Sequence, residues 1–141
     1  MHFIHNGVGY DLPDEWWAEA GMERFSPAAD SCKAGPSEFP DLPVFSVAVS
    51  DVQPLQRPGS HGVFTDAGPG RREGTARERV LRILRWFQEG TPVEPICVAT
   101  LPEGASHKFE LVHGAHRFYC SAAARFSHVP AVRVVNTWRR Q

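Results

Sequence analysis

The stretch Phe109-Glu110-Leu111-Val112-His113-Gly114-Ala115-His116-Arg117-Phe118 decides the reading of this chain. Lys108 to Val112 alternates in the way of a strand, and Gly114 breaks it. From Arg117 to Phe126 the spacing predicts a helix, with Phe118, Ala122 and Phe126 four residues apart and Ala123 beside them. A strand that ends at glycine and enters a helix exposes backbone N–H groups at the positive end of the helix dipole, which is an anion site in the making. Gly114 and Ala115 are small enough for a phosphate to approach the backbone. Arg117 offers a two-pronged grip on phosphate oxygens, and His116 offers a hydrogen bond or a proton near neutral pH.

The flanks extend the pattern. Ser127 to Pro130 reads as a turn and Ala131 to Val135 as a last strand. Upstream, Pro95 to Ala99 reads as a strand and Pro102-Glu103-Gly104 as a turn. The clearest helix follows Thr75, which forms a capping box with Glu78. Ala76, Val80, Ile83, Leu84 and Phe87 make one apolar face, Arg77, Arg79, Arg82 and Arg85 decorate the polar side, and Gly90 with Pro92 ends the helix. Trp86, Phe87, Phe118 and Phe126 read as core. Val44 to Val49 has the content of a strand. Gln53 to Gly70 holds three prolines and four glycines and reads as a long loop.

The first 43 residues have a different texture. His2 to Leu12 reads as a hairpin turning at Asn6-Gly7. Pro13 to Ala20 reads as a short helix with proline at its first position and Gly21 as its stop. Trp16 and Trp17 must point in different directions on it, one toward the core and the other under the hairpin or toward a partner. Phe25 to Leu42 carries Pro27, Pro36 and Pro40 and reads as an irregular wrapping loop. The expected organisation is therefore an N-terminal hairpin, helix and loop over 1–43, then an α/β (α+β) domain over 44–141 with a small mixed sheet and a few helices.

Composition sets outer bounds. With 141 residues, 42% of them hydrophobic and 22% charged, the chain suits a globular domain able to bury a core. No apolar run approaches the length of a membrane span, and the start lacks the pattern of a signal peptide, so the expected location is the cytoplasm. Cys32, Cys97 and Cys120 form no CxxC pair, which argues against a disulfide framework or a zinc site. His113 and His116 lack an evident third ligand, so no metal site is expected. Eight of the 16 acidic residues fall in the first 45 positions, against only Arg24 and Lys33. Such an acidic start either screens the basic remainder or is plain solvated surface.

The run from Phe109 to Phe118, the Ala-rich helix after it and His128-Val129-Pro130-Ala131-Val132 together resemble the ParB/sulfiredoxin superfamily. The upstream pieces are similar in order: Val47 to Pro54, the helix from Thr75 to Gln88, and Gly90 through Pro95-Ile96 to Val98. The resemblance covers roughly residues 44–135. It implies a ParB/sulfiredoxin-like domain that holds nucleotide phosphates at Gly114, Ala115, His116 and Arg117, with ATP or CTP and magnesium as the implied ligands. Members include ATP-using sulfiredoxins, CTP-hydrolysing partition proteins and kinases for free serine, so a nucleotide-dependent phosphotransferase or hydrolase is the implied activity. His116 and Glu73 are then the candidate catalytic residues, and Arg72 joins the phosphate ligands. Glu78 sits in the same region but is taken up by the capping box, while Arg71 and Arg77 share the helix start with Arg72.

The chain also departs from that family. Sulfiredoxins keep a reactive cysteine where Ala115 stands, and kinase-like members keep an aspartate where His113 stands. Partition proteins continue into a DNA-binding domain for which the sequence to Gln141 offers no counterpart. These departures leave a second expectation open: a catalytically silent module that binds an anion or nucleic acid, or an accessory protein meeting a partner through Trp16 and Trp17. The sequence does not specify an oligomeric state.

Overall fold

A computed structural model describes residues 1–55, 63–64 and 75–135. The expected loop from Gln53 to Gly70 lies largely outside these residues, and Arg71, Arg72 and Glu73 lie wholly outside them.

The chain opens with the hairpin β1 (His2–His5) and β2 (Val8–Asp11), paired antiparallel. Asn6 and Gly7 both take positive φ, 48° and 86°, as a two-residue turn of this hand requires. Helix α1 (Asp14–Glu19) follows, with Pro13 capping it from outside rather than occupying its first position. A 3-10 turn over Met22–Arg24 leads into irregular chain, tied down by a bridge from Ala34 to Val93 and by the Asp30 carbonyl, which accepts the His128 N–H at 3.0 Å.

The main sheet has the order β3-β6-β4-β5, made from β3 (Phe45–Ala48), β4 (Ile96–Thr100), β5 (Phe109–His113) and β6 (His128–Arg133). The mixed pairing defines an α+β fold: β6 runs antiparallel to β3 and parallel to β4, and β5 runs antiparallel to β4. Two helices complete it, α2 (Ala76–Glu89) and α3 (Ala115–Ala123).

The expected turn at Ser127 to Pro130 is corrected, because the last strand already begins at His128. Proline is tolerated there because Pro130 faces only β3, and pairing with β4 starts one residue later at Ala131. Helix α3 is corrected at both ends. It starts two residues earlier than the periodicity implies, directly after Gly114, and it stops at Ala123. The stop is a Schellman motif in which Arg125 takes the left-handed position at φ 71° and Phe126 N–H reaches the Ser121 carbonyl at 3.1 Å. Arginine in place of the usual glycine hides that ending from a sequence reading.

The amphipathic face of α2 is as its spacing requires. Ala76, Val80, Ile83, Leu84 and Phe87 are buried, with Leu81 added, and Thr75 Oγ1 accepts the Glu78 N–H at 3.1 Å. Burying each of the larger side chains contributes about 1.5–3 kcal/mol. One core cluster joins this face to Phe118, Tyr119 and Cys120 of α3, to Val47, Ile96, Val98 and Val129 of the sheet, and to Leu12, Ala20 and Met22 of the N-terminal segment. Trp16 and Trp17 are both half-buried against that cluster, so neither stands out as a free aromatic surface.

Candidate functional site

The strand leading into the anticipated loop is irregular where it matters. Cys97 pairs with His113 but Val98 pairs with Leu111, so β5 carries one extra residue, Val112. This bulge breaks the alternation. Glu110 is buried, while Val112 and His113 are both exposed. Bulges re-aim side chains, and this one delivers the chain to Gly114 at the mouth of a cleft.

Gly114 takes φ 101°. A Cβ placed there would lie 2.9 Å from Ile96 Cγ2 and 2.9 Å from Arg117 Nη2. The position therefore needs glycine for its backbone conformation and for the space it leaves. Gly114 is also the N-cap of α3, and having no side chain it leaves the first turn without a side-chain cap.

The cleft has a volume of about 550 Å³ and lies between α2 and the β5–α3 junction. From the junction it is lined by Leu111 through Arg117, and from α2 by Arg79, Arg82, Ile83 and Trp86, with Leu55 at its edge. Among the described residues its charged lining is entirely basic: Arg79, Arg82 and Arg117, with His113 and His116 beside them.

The structure gives the two side chains that the sequence singled out other work than gripping a ligand. Arg117 is only 14% exposed in its side chain. Its Nη1 donates to the Glu94 carbonyl at 2.9 Å, the Glu94 carboxylate at 2.9 Å and the Pro95 carbonyl at 2.8 Å. Arg117 thus ties the start of α3 to the segment entering β4. His116 Nε2 donates to the Val63 carbonyl at 2.7 Å, and its ring stacks with Phe64 at a centroid distance of 6.4 Å. Gly114 and Ala115 line the cleft as expected. Arg77 turns away to pair with Glu19, the one ion pair that links the acidic N-terminal segment to the basic helix among the described residues. Arg72 and Glu73 lie outside the described residues.

Three contributors from α2, Arg79, Arg82 and Trp86, were not anticipated as site residues. Arg82 is exposed and faces the cleft, and Trp86, expected in the core, is half-buried and lines it. Arg79, Arg82 and Trp86 stand at spacings of three and four, which places them along one stripe of α2. That stripe adjoins the apolar face and was legible as a helix side; the cleft beside it was not.

The thiols are quiet. Burial pushes Cys32 and Cys97 up to about 11, and the Glu38 carboxylate beside Cys97 adds to the shift there. Cys120 is wholly buried and raised further. Such thiols do not form thiolates near neutral pH. No group of three metal-ligating side chains occurs among the described residues, and none of their helices is long and apolar enough to cross a membrane.

Comparison of the chain with protein-family models, with curated proteins and with solved structures finds no match.

Proposed function

We propose that the cleft between α2 and the β5–α3 junction binds the phosphate groups of a nucleotide. The observation that carries this reading is the lining: about 550 Å³ of concave surface whose charged side chains, among the described residues, are all basic. A multiply charged anion gains from such a field, and the concavity strengthens it by excluding part of the solvent. The resemblance to the ParB/sulfiredoxin superfamily supports the same reading, since the order of strands and helices around Gly114 is the order on which that resemblance rests. The proposed activity is binding first. A phosphotransferase or hydrolase step would require a metal-holding or basic group near the phosphates; Glu73 is the candidate for that role and Arg72 for a further phosphate contact, with ATP or CTP and magnesium as the proposed ligands.

Within the reading the roles shift. Arg82 and Arg79 supply charge from α2, and Gly114 and Ala115 let the anion approach the backbone. His116 and Arg117 hold the walls. A thermal-shift panel of ATP, CTP, GTP and their diphosphates, with and without magnesium, tests it. A hundredfold excess over Kd stabilises the native state by about 2.7 kcal/mol, roughly 6–10 °C for a chain of this size. Arg82→Gln should abolish the rise while leaving the melting temperature of the unliganded protein unchanged. A panel in which no nucleotide raises the melting temperature, or a rise that survives Arg82→Gln, would defeat the proposal.

A further inference from the structure

Resting on that reading, we infer that Trp86 is the platform on which the nucleotide's base stacks, so that the cleft selects a nucleoside phosphate over a bare polyphosphate. Tryptophan is a large side chain that is seldom buried completely, and Trp86 packs partly against the core cluster while leaving some of its surface uncovered. The remainder lines the basic cleft on one side and a second cavity of about 580 Å³ on the other. Its neighbours along the helix decide what such a ring is for. Arg82 stands one turn before it and Arg79 a further turn back, all three on the cleft wall. From Arg82 to Trp86 is roughly 6 Å along the helix axis, and from Arg79 roughly 10 Å, at 1.5 Å per residue. The stripe therefore presents positive charge at one end and a flat aromatic surface at the other, over a span that suits the phosphate-to-base reach of a nucleotide. Inorganic phosphate, pyrophosphate or a sugar phosphate would use the charged end alone.

Aromatic stacking tolerates every base because each has a π-face. The inference is therefore a preference for nucleotides as a class, with the nucleotide-over-polyphosphate ratio carried by Trp86. Titration calorimetry on the whole chain tests it with ATP, CTP and inorganic triphosphate as probes, in the wild type, Trp86→Phe and Trp86→Leu. Wild type should bind the nucleotides about tenfold or more tightly than triphosphate. Trp86→Leu should remove most of that ratio without changing triphosphate affinity, and Trp86→Phe should keep most of it. The indole N–H resonance of Trp86, identified by its loss in Trp86→Phe, gives a measurement that needs no stable leucine variant: it should move with ATP and stay with triphosphate. Equal affinity for nucleotide and triphosphate in the wild type, a ratio that survives Trp86→Leu, or an indole signal unmoved by a bound nucleotide would each overturn the stacking role while leaving the anion cleft standing. Binding of none of the three probes would overturn both.

Discussion

Helix α3 serves two polar regions that are built on opposite terms. At its start, Gly114 to Arg117 line an open cleft with basic side chains from α2 across from them. Two residues further on, Tyr119 is completely buried, and its hydroxyl is the hub of a closed knot. It accepts the Leu55 N–H at 2.9 Å and meets Tyr10 Oη at 3.0 Å and His5 Nδ1 at 3.2 Å. Tyr10 in turn donates to the Leu55 carbonyl at 2.7 Å, and His5 Nε2 donates to the Val49 carbonyl at 2.9 Å. Asn6 extends the knot with donations to the carbonyls of Ser50 and Val52 at 3.0 and 2.9 Å. Polar groups buried in this way stabilise a fold only because each finds a protein partner. The contrast separates residues by use. His116 and Arg117, although they stand at the cleft, belong in kind with the knot, because they donate to protein carbonyls and to Glu94. Arg82 belongs to the cleft.

The comparison implies that damage to the closed bonds shows in stability, whereas damage to the open cleft shows in binding. The largest expected effect is at the seam. Gly114→Ala combines a backbone conformation that L-residues rarely adopt with contacts at 2.9 Å to Ile96 and to the pinned Arg117 guanidinium. Strain of that kind costs on the order of 1–3 kcal/mol, and overpacking adds a similar amount. Together these make about 2–6 kcal/mol, so thermal denaturation should show a fall of roughly 5–20 °C. A melting temperature within 2 °C of wild type would mean that the junction relaxes freely and that the seam is not a rigid divider.

Next is the hub. Tyr119→Phe keeps the ring and removes only the hydroxyl, so the half-buried Leu55 N–H loses its acceptor and Tyr10 and His5 lose their partner on α3. Leaving a buried donor unsatisfied costs about 1–3 kcal/mol. Tyr10→Phe strips a bond from the Leu55 carbonyl at a half-buried site and should cost less. Urea denaturation of the pair gives the order; equal and negligible losses would break the distinction between knot and cleft. Leu55 also lines the cleft, so the Tyr119 variant should weaken nucleotide binding only modestly beside Arg82→Gln.

The two regions also differ in how much of each was legible in the sequence. The cleft's junction could be anticipated because its signals are local: a strand pattern, a glycine and a helix period meet within ten residues. Its opposite wall could not, because Arg82 and Trp86 are brought to Gly114 only by the packing of α2 against α3. The bulge at Val112 was equally hidden, since nothing in Leu111-Val112-His113 distinguishes an extra residue from a regular pleat. The knot was hidden almost entirely. Asn6-Gly7 announced its hairpin, and both strands of that hairpin lie as read, but pairing His5 and Tyr10 with Tyr119 requires contacts more than 100 residues apart. Tyr119 itself sat in a helix where periodicity marks Phe118 and passes over its neighbour. Short-range patterning thus exposed the junction that lines the candidate cleft and concealed the long-range bonds that hold it in place.

The smallest expected effect concerns pH and sharpens the comparison from the side of the knot. His5 is buried, and burial is the main cause holding its pKa below the ordinary 6.5. The carbonyls of Val49 and Val52 pull the other way, and repulsion from His107 adds to the lowering. Tyr10 and Tyr119 also face the ring, but neither takes up a proton in this range. A histidine with a lowered folded pKa binds fewer protons in the native state than in the unfolded chain, so stability rises with pH. Its contribution is fully present above about pH 6.5 and is lost as pH falls from there toward the folded value. Urea midpoints measured from pH 8 to pH 5 should therefore decline toward acid, and His5→Gln, which cannot gain a proton, should flatten that decline even where its stability at pH 8 is lower. An identical slope in the variant would assign the acid sensitivity elsewhere in the molecule. Because His5 makes no part of the cleft lining, Arg82→Gln should leave the slope untouched; a slope that changed with Arg82 would show that the knot and the cleft are one electrostatic unit rather than two.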